Sequence, residues 1–267
     1  MDFATMMTLE PHGPDTYVGI GPKYPWGGLY GGQIVAQALR AAAATVDAAY
    51  RVHSLHAYFI RRGDHEEPIR FEVDRIRNGR SFTTRLVVAR QAVGAILNMS
   101  ASFQIDEPGP DAQTAQMPDV TAPDDLGGVT SFGMFERRLV PTGGERGRTL
   151  GWLRMADPVG ESAALHACAL AYMSDDLPTD AVVSVEYPHF EGEWADESLW
   201  SASLDHAIWF HRPVRADKWH LQEFTCHGLM SSRGLSVGHV FDQGGTHLAT
   251  ISQEVLLRSR RSQRPGV

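Results

Sequence analysis

The sequence predicts an α+β fold built twice in tandem, each half a buried helix followed by antiparallel strands. Three observations predict it. An apolar run of helical composition from Gln33 to Val46 precedes strand-like segments between His53 and Gln104. From Asp106 to Gly128 the chain is rich in Pro, Asp, Ala, Gly and Thr with no apolar period, which reads as a linker over the surface. Beyond it an apolar run from Ala163 to Met173 again precedes strands, from Ser203 to Leu257.

Each element has a local reason. Gly31 and Gly32 stand before the first apolar run, where a glycine pair lets one backbone approach another closely. The run itself, dominated by Ile, Val, Leu and Ala, suits a helix buried on most faces. Arg70 to Ile76 alternates at period two, Asn78-Gly79 marks a hairpin turn, and Thr84–Val88 and Ala95–Phe103 read as strands joined through Gly94. In the second half the helix is followed by a long loop and then the closing strands. The expected division is therefore a first domain at 1–105, a linker at 106–130, a second domain at 131–258 and a basic, disordered tail at 259–267. Each helix is expected to carry its own core.

The halves also match residue against residue. His56-Ala57 with Arg62 recurs as His206-Ala207 with Arg212, 150 residues on, and Arg80 and Gly94 recur as Arg233 and Gly245 at slightly larger spacings. Insertions at turns account for the slip.

Composition bounds the function. The chain has 267 residues, 43% hydrophobic, enough to bury a sizeable core. A formal net charge of -8 argues against binding that works by neutralising nucleic-acid phosphates. Two cysteines, Cys168 and Cys226, cannot build a disulfide framework, and no stretch approaches the length of a membrane span. A cytoplasmic setting is the expectation.

Several familiar sites are missing. There is no Gly-x-Ser-x-Gly elbow for a hydrolase triad. Gly143 to Thr149 lacks the lysine and spacing of a phosphate loop, and Gly27 to Gly32 does not follow a dinucleotide fingerprint. His53 and His56 on one strand point to opposite faces, a poor chelate, so no metal site is expected.

The remaining motifs resemble a known family. Tyr30-Gly31-Gly32-Gln33 with Ala36-Gln37-Ala38-Leu39, then His53 to Phe59 with Arg61 and Gly63-Asp64, resemble the first half of the acyl-CoA thioesterase II family. Gly79-Arg80-Ser81-Phe82 and Ala101-Ser102-Phe103-Gln104 continue it in order. Asp205-His206, Trp209 to Pro213, Arg233-Gly234 and Gln253-Glu254 are similar to its closing motifs. The resemblance implies a double hotdog, each half a sheet wrapped round one helix, with the two sheets joined edge to edge. It also implies hydrolysis of fatty acyl-CoA in lipid metabolism, no cofactor or metal, and a homo-oligomer. The implied catalytic set is Asp175, Ser203 where the family more often has Thr, and Gln253. Asp176 takes the first place if the register shifts by one.

The chemistry suits those residue types. A carboxylate can take a proton from water as the thioester carbonyl is attacked. Gln253 offers a donor and an acceptor to orient water and carboxylate, and Ser203 adds a hydroxyl. Against this, Asp175 can be a solvated helix-end residue and Ser203 a plain strand hydroxyl. Candidate substrate contacts are Gly32 and Gln33, at the helix start where backbone N–H groups can meet an oxyanion, and Arg61 and Arg62, which can meet coenzyme A phosphates or simply water. His206 is expected to be structural. A hotdog enoyl-CoA hydratase and a catalytically inactive acyl-CoA-binding protein are the competing readings.

Overall fold

The computed structural model describes residues 1–187 and 199–259. The first half opens with helix α1 (Phe3–Met6) and strands β1 (Glu10–Pro11) and β2 (Thr16–Gly19). Helix α2 (Gly31–Ala43) follows, then β3 (Tyr50–Phe59), β4 (Ile69–Asn78), β5 (Phe82–Gln91) and β6 (Gly94–Ile105). After the linker and a 3-10 turn at Pro123–Asp125 come β7 (Thr130–Phe132), β8 (Phe135–Val140) and β9 (Arg148–Met155). Helices α3 (Ala163–Met173) and α4 (Leu177–Val183) lead to β10 (Leu199–Ser203), β11 (Asp205–Phe210), β12 (His220–Met230), β13 (Arg233–Asp242) and β14 (His247–Ser259).

Every strand belongs to one antiparallel sheet, in the order β1-β2-β4-β5-β6-β3-β11-β14-β13-β12-β9-β8-β7, with β10 also on β14. The sheet of the first half joins that of the second through β3 and β11, where Leu55 faces Ile208 and Ala57 faces His206. The edge-to-edge double hotdog follows. Helices α2 and α3 lie packed on each other beneath it, and here the expectation of separate cores is corrected. The main apolar cluster runs from Ile34 and Leu39 of α2 through Leu170 and Tyr172 of α3 to Ile208 and Ile251. Two half-sheets that share an edge and two helices that share a face leave nowhere for water to divide the interior.

The repeat is real in the ladders, but its register differs from the spacing of 150 read from the sequence. Backbone N–H groups of Ile60 and Arg61 donate to Ile96, as those of His211 and Arg212 donate to Leu248. Arg61 thus corresponds to Arg212, and Phe59 to Phe210, 151 residues apart. Strand parity explains the correction. Leu55 and Ala57 face inward, and so do His206 and Ile208, so a shift of 150 would turn inward positions outward.

Helix α2 starts two residues before the expected Gln33 and stops at Ala43 instead of Val46. Its end tightens through Thr45 N–H to Ala42 and Val46 N–H to Ala43, three-residue bonds that close the last turn. Helix α4 and strands β7 to β9 occupy segments in which no element was expected. Pro178 in the first turn of α4 sits where a helix tolerates it, and Arg137 on β8 is buried, which hides that strand's apolar alternation. The linker is not a plain tether. Met117, Val120 and Leu126 pack on Trp152, Trp219 and Phe241, and Trp152 Nε1 donates to the Thr121 carbonyl. Of the tail expected at 259–267, Ser259 closes β14 and the rest lies outside the described residues. No helix among the described residues is long and apolar enough to cross a membrane.

Candidate active site

Helices α2 and α3 run antiparallel, so the start of α2 meets the end of α3. Glycine makes that meeting close. A Cβ at Gly32 would lie 2.2 Å from the Tyr172 carbonyl oxygen, and one at Gly31 would lie 2.6 Å from Asp175 Oδ2. Asp175 follows Ser174, the C-cap of α3, and its carboxylate turns across the seam to the first half. Gly32 N–H donates to Asp175 Oδ2 at 3.0 Å. The N-cap residue of α2, Tyr30, offers no side-chain cap, so a carboxylate from the other half satisfies one of the helix's unpaired N–H groups.

Ser203 ends β10 and Gln253 lies in β14, beside each other because β10 and β14 pair. Ser203 Oγ donates to Asp175 Oδ1 at 2.8 Å, and Gln253 Nε2 donates to Ser203 Oγ at 2.9 Å. Three residues distant in sequence therefore meet in one network. It continues inward: His206 Nδ1 lies 2.5 Å from Gln253 Oε1, and His206 Nε2 lies 2.8 Å from Ser174 Oγ. Since Gln253 Oε1 can only accept, Nδ1 carries the proton, and the one proton of Ser174 Oγ is shared between His206 Nε2 and the Ala171 carbonyl, 3.0 Å away. From His206 through Gln253 and Ser203 the donors all point one way, to Asp175.

Electrostatics agree with that direction. Burial pushes the Asp175 carboxyl up to about 6, although bonds from Ser203, Gln253 and Gly32 N–H hold it down. Burial lowers His206 to about 4, so it is neutral near pH 7, as the single proton on Nδ1 requires. Asp176 is differently engaged. Both of its oxygens accept from Arg137 Nη1, at 3.0 and 3.2 Å, and Asp180 stands 3.9 Å from the same nitrogen. Burial raises the Asp176 carboxyl and Arg137 offsets part of that rise. Of the two neighbouring carboxylates, Asp175 is the one joined to Ser203.

The expected substrate contacts fare unevenly. Gly32 lies at the site, but its N–H is engaged by Asp175 and is not a free oxyanion donor. The Gln33 N–H, the other expected oxyanion donor, is bonded to the Tyr30 carbonyl at 3.1 Å, and the Gln33 side chain is fully buried, donates to Gln37 Oε1 at 3.2 Å and lies under Gly21. One step along a helix turns a side chain by about 100°, so Gln33 faces the first half's core while Gly32 faces the seam. Arg61 Nη1 donates to the Ala95 carbonyl and Arg62 Nη2 to that of Trp26, both on exposed side chains. Arg212 makes the matching bond to the His247 carbonyl, so Arg61's bond is a repeated loop tether.

Sequence reasoning left Arg137 unassigned and read His206 as structural without finding its link to Gln253. An arginine on β8 followed by another arginine reads as surface. Only the fold brings it beneath Asp176.

Comparison with known proteins places the chain in a family. Residues 21–104 match the family model described as the acyl-CoA thioesterase N-terminal domain, and residues 109–257 match the acyl-CoA thioesterase C-terminal domain. The human protein named acyl-coenzyme A thioesterase 8 is 33% identical over 95% of this chain and 88% of its own. Acyl-CoA thioesterase 2 of Haemophilus influenzae is 32% identical over 86% of this chain and 87% of its own. Among solved structures, an acyl-CoA thioesterase II from Mycobacterium marinum superposes with a TM-score of 0.85 at 37% identity, covering 99% of this chain and all of that one. With both halves of the chain matched in order and the fold shared end to end, the chain belongs to the acyl-CoA thioesterase family and is a thioester hydrolase.

Proposed function

We propose that the chain hydrolyses acyl-CoA thioesters to free acid and coenzyme A by direct attack of water activated at Asp175, Ser203 and Gln253, with no covalent acyl-enzyme. The observation that carries the reading is the one-directional hydrogen-bond chain ending on a buried carboxylate poised near pH 6. A carboxylate in that range is ionised at neutral pH and basic enough to take the proton of an attacking water. Gln253, held by His206, fixes the direction of Ser203, and Ser203 fixes Asp175. As the tetrahedral adduct collapses, the carbon–sulfur bond breaks and the proton held on Asp175 passes to the leaving sulfur. Arg62, whose position is not part of the repeated loop tether, is assigned to the coenzyme A phosphates ahead of Arg61.

The test is thiol release by the purified chain over acyl-CoA substrates from short to long, in the presence of a chelator. Turnover without metal is the expected result. Rapid-quench mass measurement during turnover gives the contrary one: an acyl group retained on Ser203 would make that hydroxyl the nucleophile and remove the water mechanism.

A further inference from the structure

The other end of the helix pair holds a cavity of about 650 Å³, within the range of small-molecule sites. It lies between the end of α2 (Leu39, Arg40, Ala43) and the start of α3 (Ala163, Ala164, Ala167). The repeat relates it to the Asp175 site, which lies between the start of α2 and the end of α3. By that correspondence Ser203 falls on Val52, whose partner Phe103 matches Val255, the partner of Ser203. His206 and Gln253 fall on Leu55 and Ala101, again partners across a ladder. None of these three counterparts, Val52, Leu55 and Ala101, is polar, so the cavity does not repeat the hydroxyl, imidazole and amide of the Asp175 network.

It nevertheless retains the features of a ligand site. Val46, Val52, Phe103 and Phe210 supply apolar wall. Arg40 lines it from the last turn of α2, half-buried, with its Nε shielded from water and without a hydrogen-bond partner among the described residues. No ion pair to Arg40 occurs among those residues either. The other charges of the cavity differ: Arg51 pairs with Asp106 at 3.1 Å, Arg212 pairs with Asp111, and Asp47, Asp106 and Glu107 are exposed at the rim. A guanidinium left unpaired beside apolar wall matches a carboxylate carried on a hydrocarbon chain.

We infer that this cavity is a non-hydrolytic binding site for a free fatty acid, its carboxylate on Arg40 and its chain along Val46, Val52, Phe103 and Phe210. The inference stands whether or not the water mechanism at Asp175 is right, because it is read by binding and not by turnover.

The experiment is calorimetric titration of the full chain with decanoate, repeated with decanol, together with spectra of carboxyl-labelled decanoate that report each bound head group separately. Saturable decanoate binding is expected, with decanol bound at least about tenfold more weakly. Arg40→Met should weaken decanoate about ten- to hundredfold, Arg40→Lys should restore part of it, and Ala163→Trp, which fills the cavity from an exposed helix start, should abolish it. Asp175→Asn should leave it unchanged. Decanoate binding that survives both Arg40→Met and Ala163→Trp, or that is lost in Asp175→Asn, places the acid at the other end and overturns the assignment. Absence of saturable binding to the unsubstituted chain overturns it as well.

Discussion

Asp175→Asn should lower activity and raise stability together, and the pairing of signs is the informative part. The buried carboxyl has been moved from 3.8 to about 6 by the fold, so the folded chain binds its proton more tightly than the unfolded chain does. Between those values the folded state holds more protons, and stability falls as pH rises through the interval. Above about pH 6 the ionised carboxylate carries the full deficit, about 3 kcal/mol at 1.36 kcal/mol per tenfold in proton affinity. Asparagine keeps the shape without the charge. Its Oδ1 can accept from Gly32 N–H, and the Ser203 hydroxyl can rotate to accept from the new amide. The variant should therefore gain up to about 3 kcal/mol at pH 7.5, roughly 5–10 °C in Tm, and almost nothing at pH 3, below both values. Turnover should fall by about two orders of magnitude or more, because no proton acceptor remains. The assays are thermal unfolding across that pH range and thiol release at its upper end. A variant that is less stable than the parent at pH 7.5, or that retains most of its turnover, would refute the reasoning.

Other consequences are more direct. Turnover should be level above about pH 7 and fall about tenfold between there and pH 5, since only the ionised Asp175 can act as base; a flat acid limb in a pH–rate profile would contradict it. Arg137→Met removes the cation bound by the buried Asp176 carboxylate and should cost about 3–5 kcal/mol at pH 8. That deficit should shrink as pH falls, since the stranded Asp176 carboxylate takes up a proton, and unfolding measured at two pH values checks it. His206→Ala unpins Gln253 Oε1 and should reduce kcat by about tenfold or more while changing KM little, because the ring is fully buried and acts through Gln253. Equal activity in that variant would show that the amide orients itself.

Local chemistry carried much of the fold. The apolar composition at 33–46 and 163–173, the alternation around Phe71 and Val73, and the turn at Asn78-Gly79 each specify an element through nearest neighbours and strand parity alone. The set 175, 203 and 253 was legible only through the resemblance to the acyl-CoA thioesterase II family; residue type alone, a carboxylate, a hydroxyl and an amide among many, singles out none of the three. That they do meet was decided by the tertiary structure: β10 must pair with β14, and α3 must end against the glycine-bearing start of α2. The seam likewise settled which of two adjacent aspartates joins Ser203, since Arg137 from β8 engages the other. A repeat spacing of 150 could not be told from 151 in the sequence, where both align similar residues. In the sheet the two differ by a whole face, because side chains alternate and only one choice keeps Leu55 and His206 both beneath it.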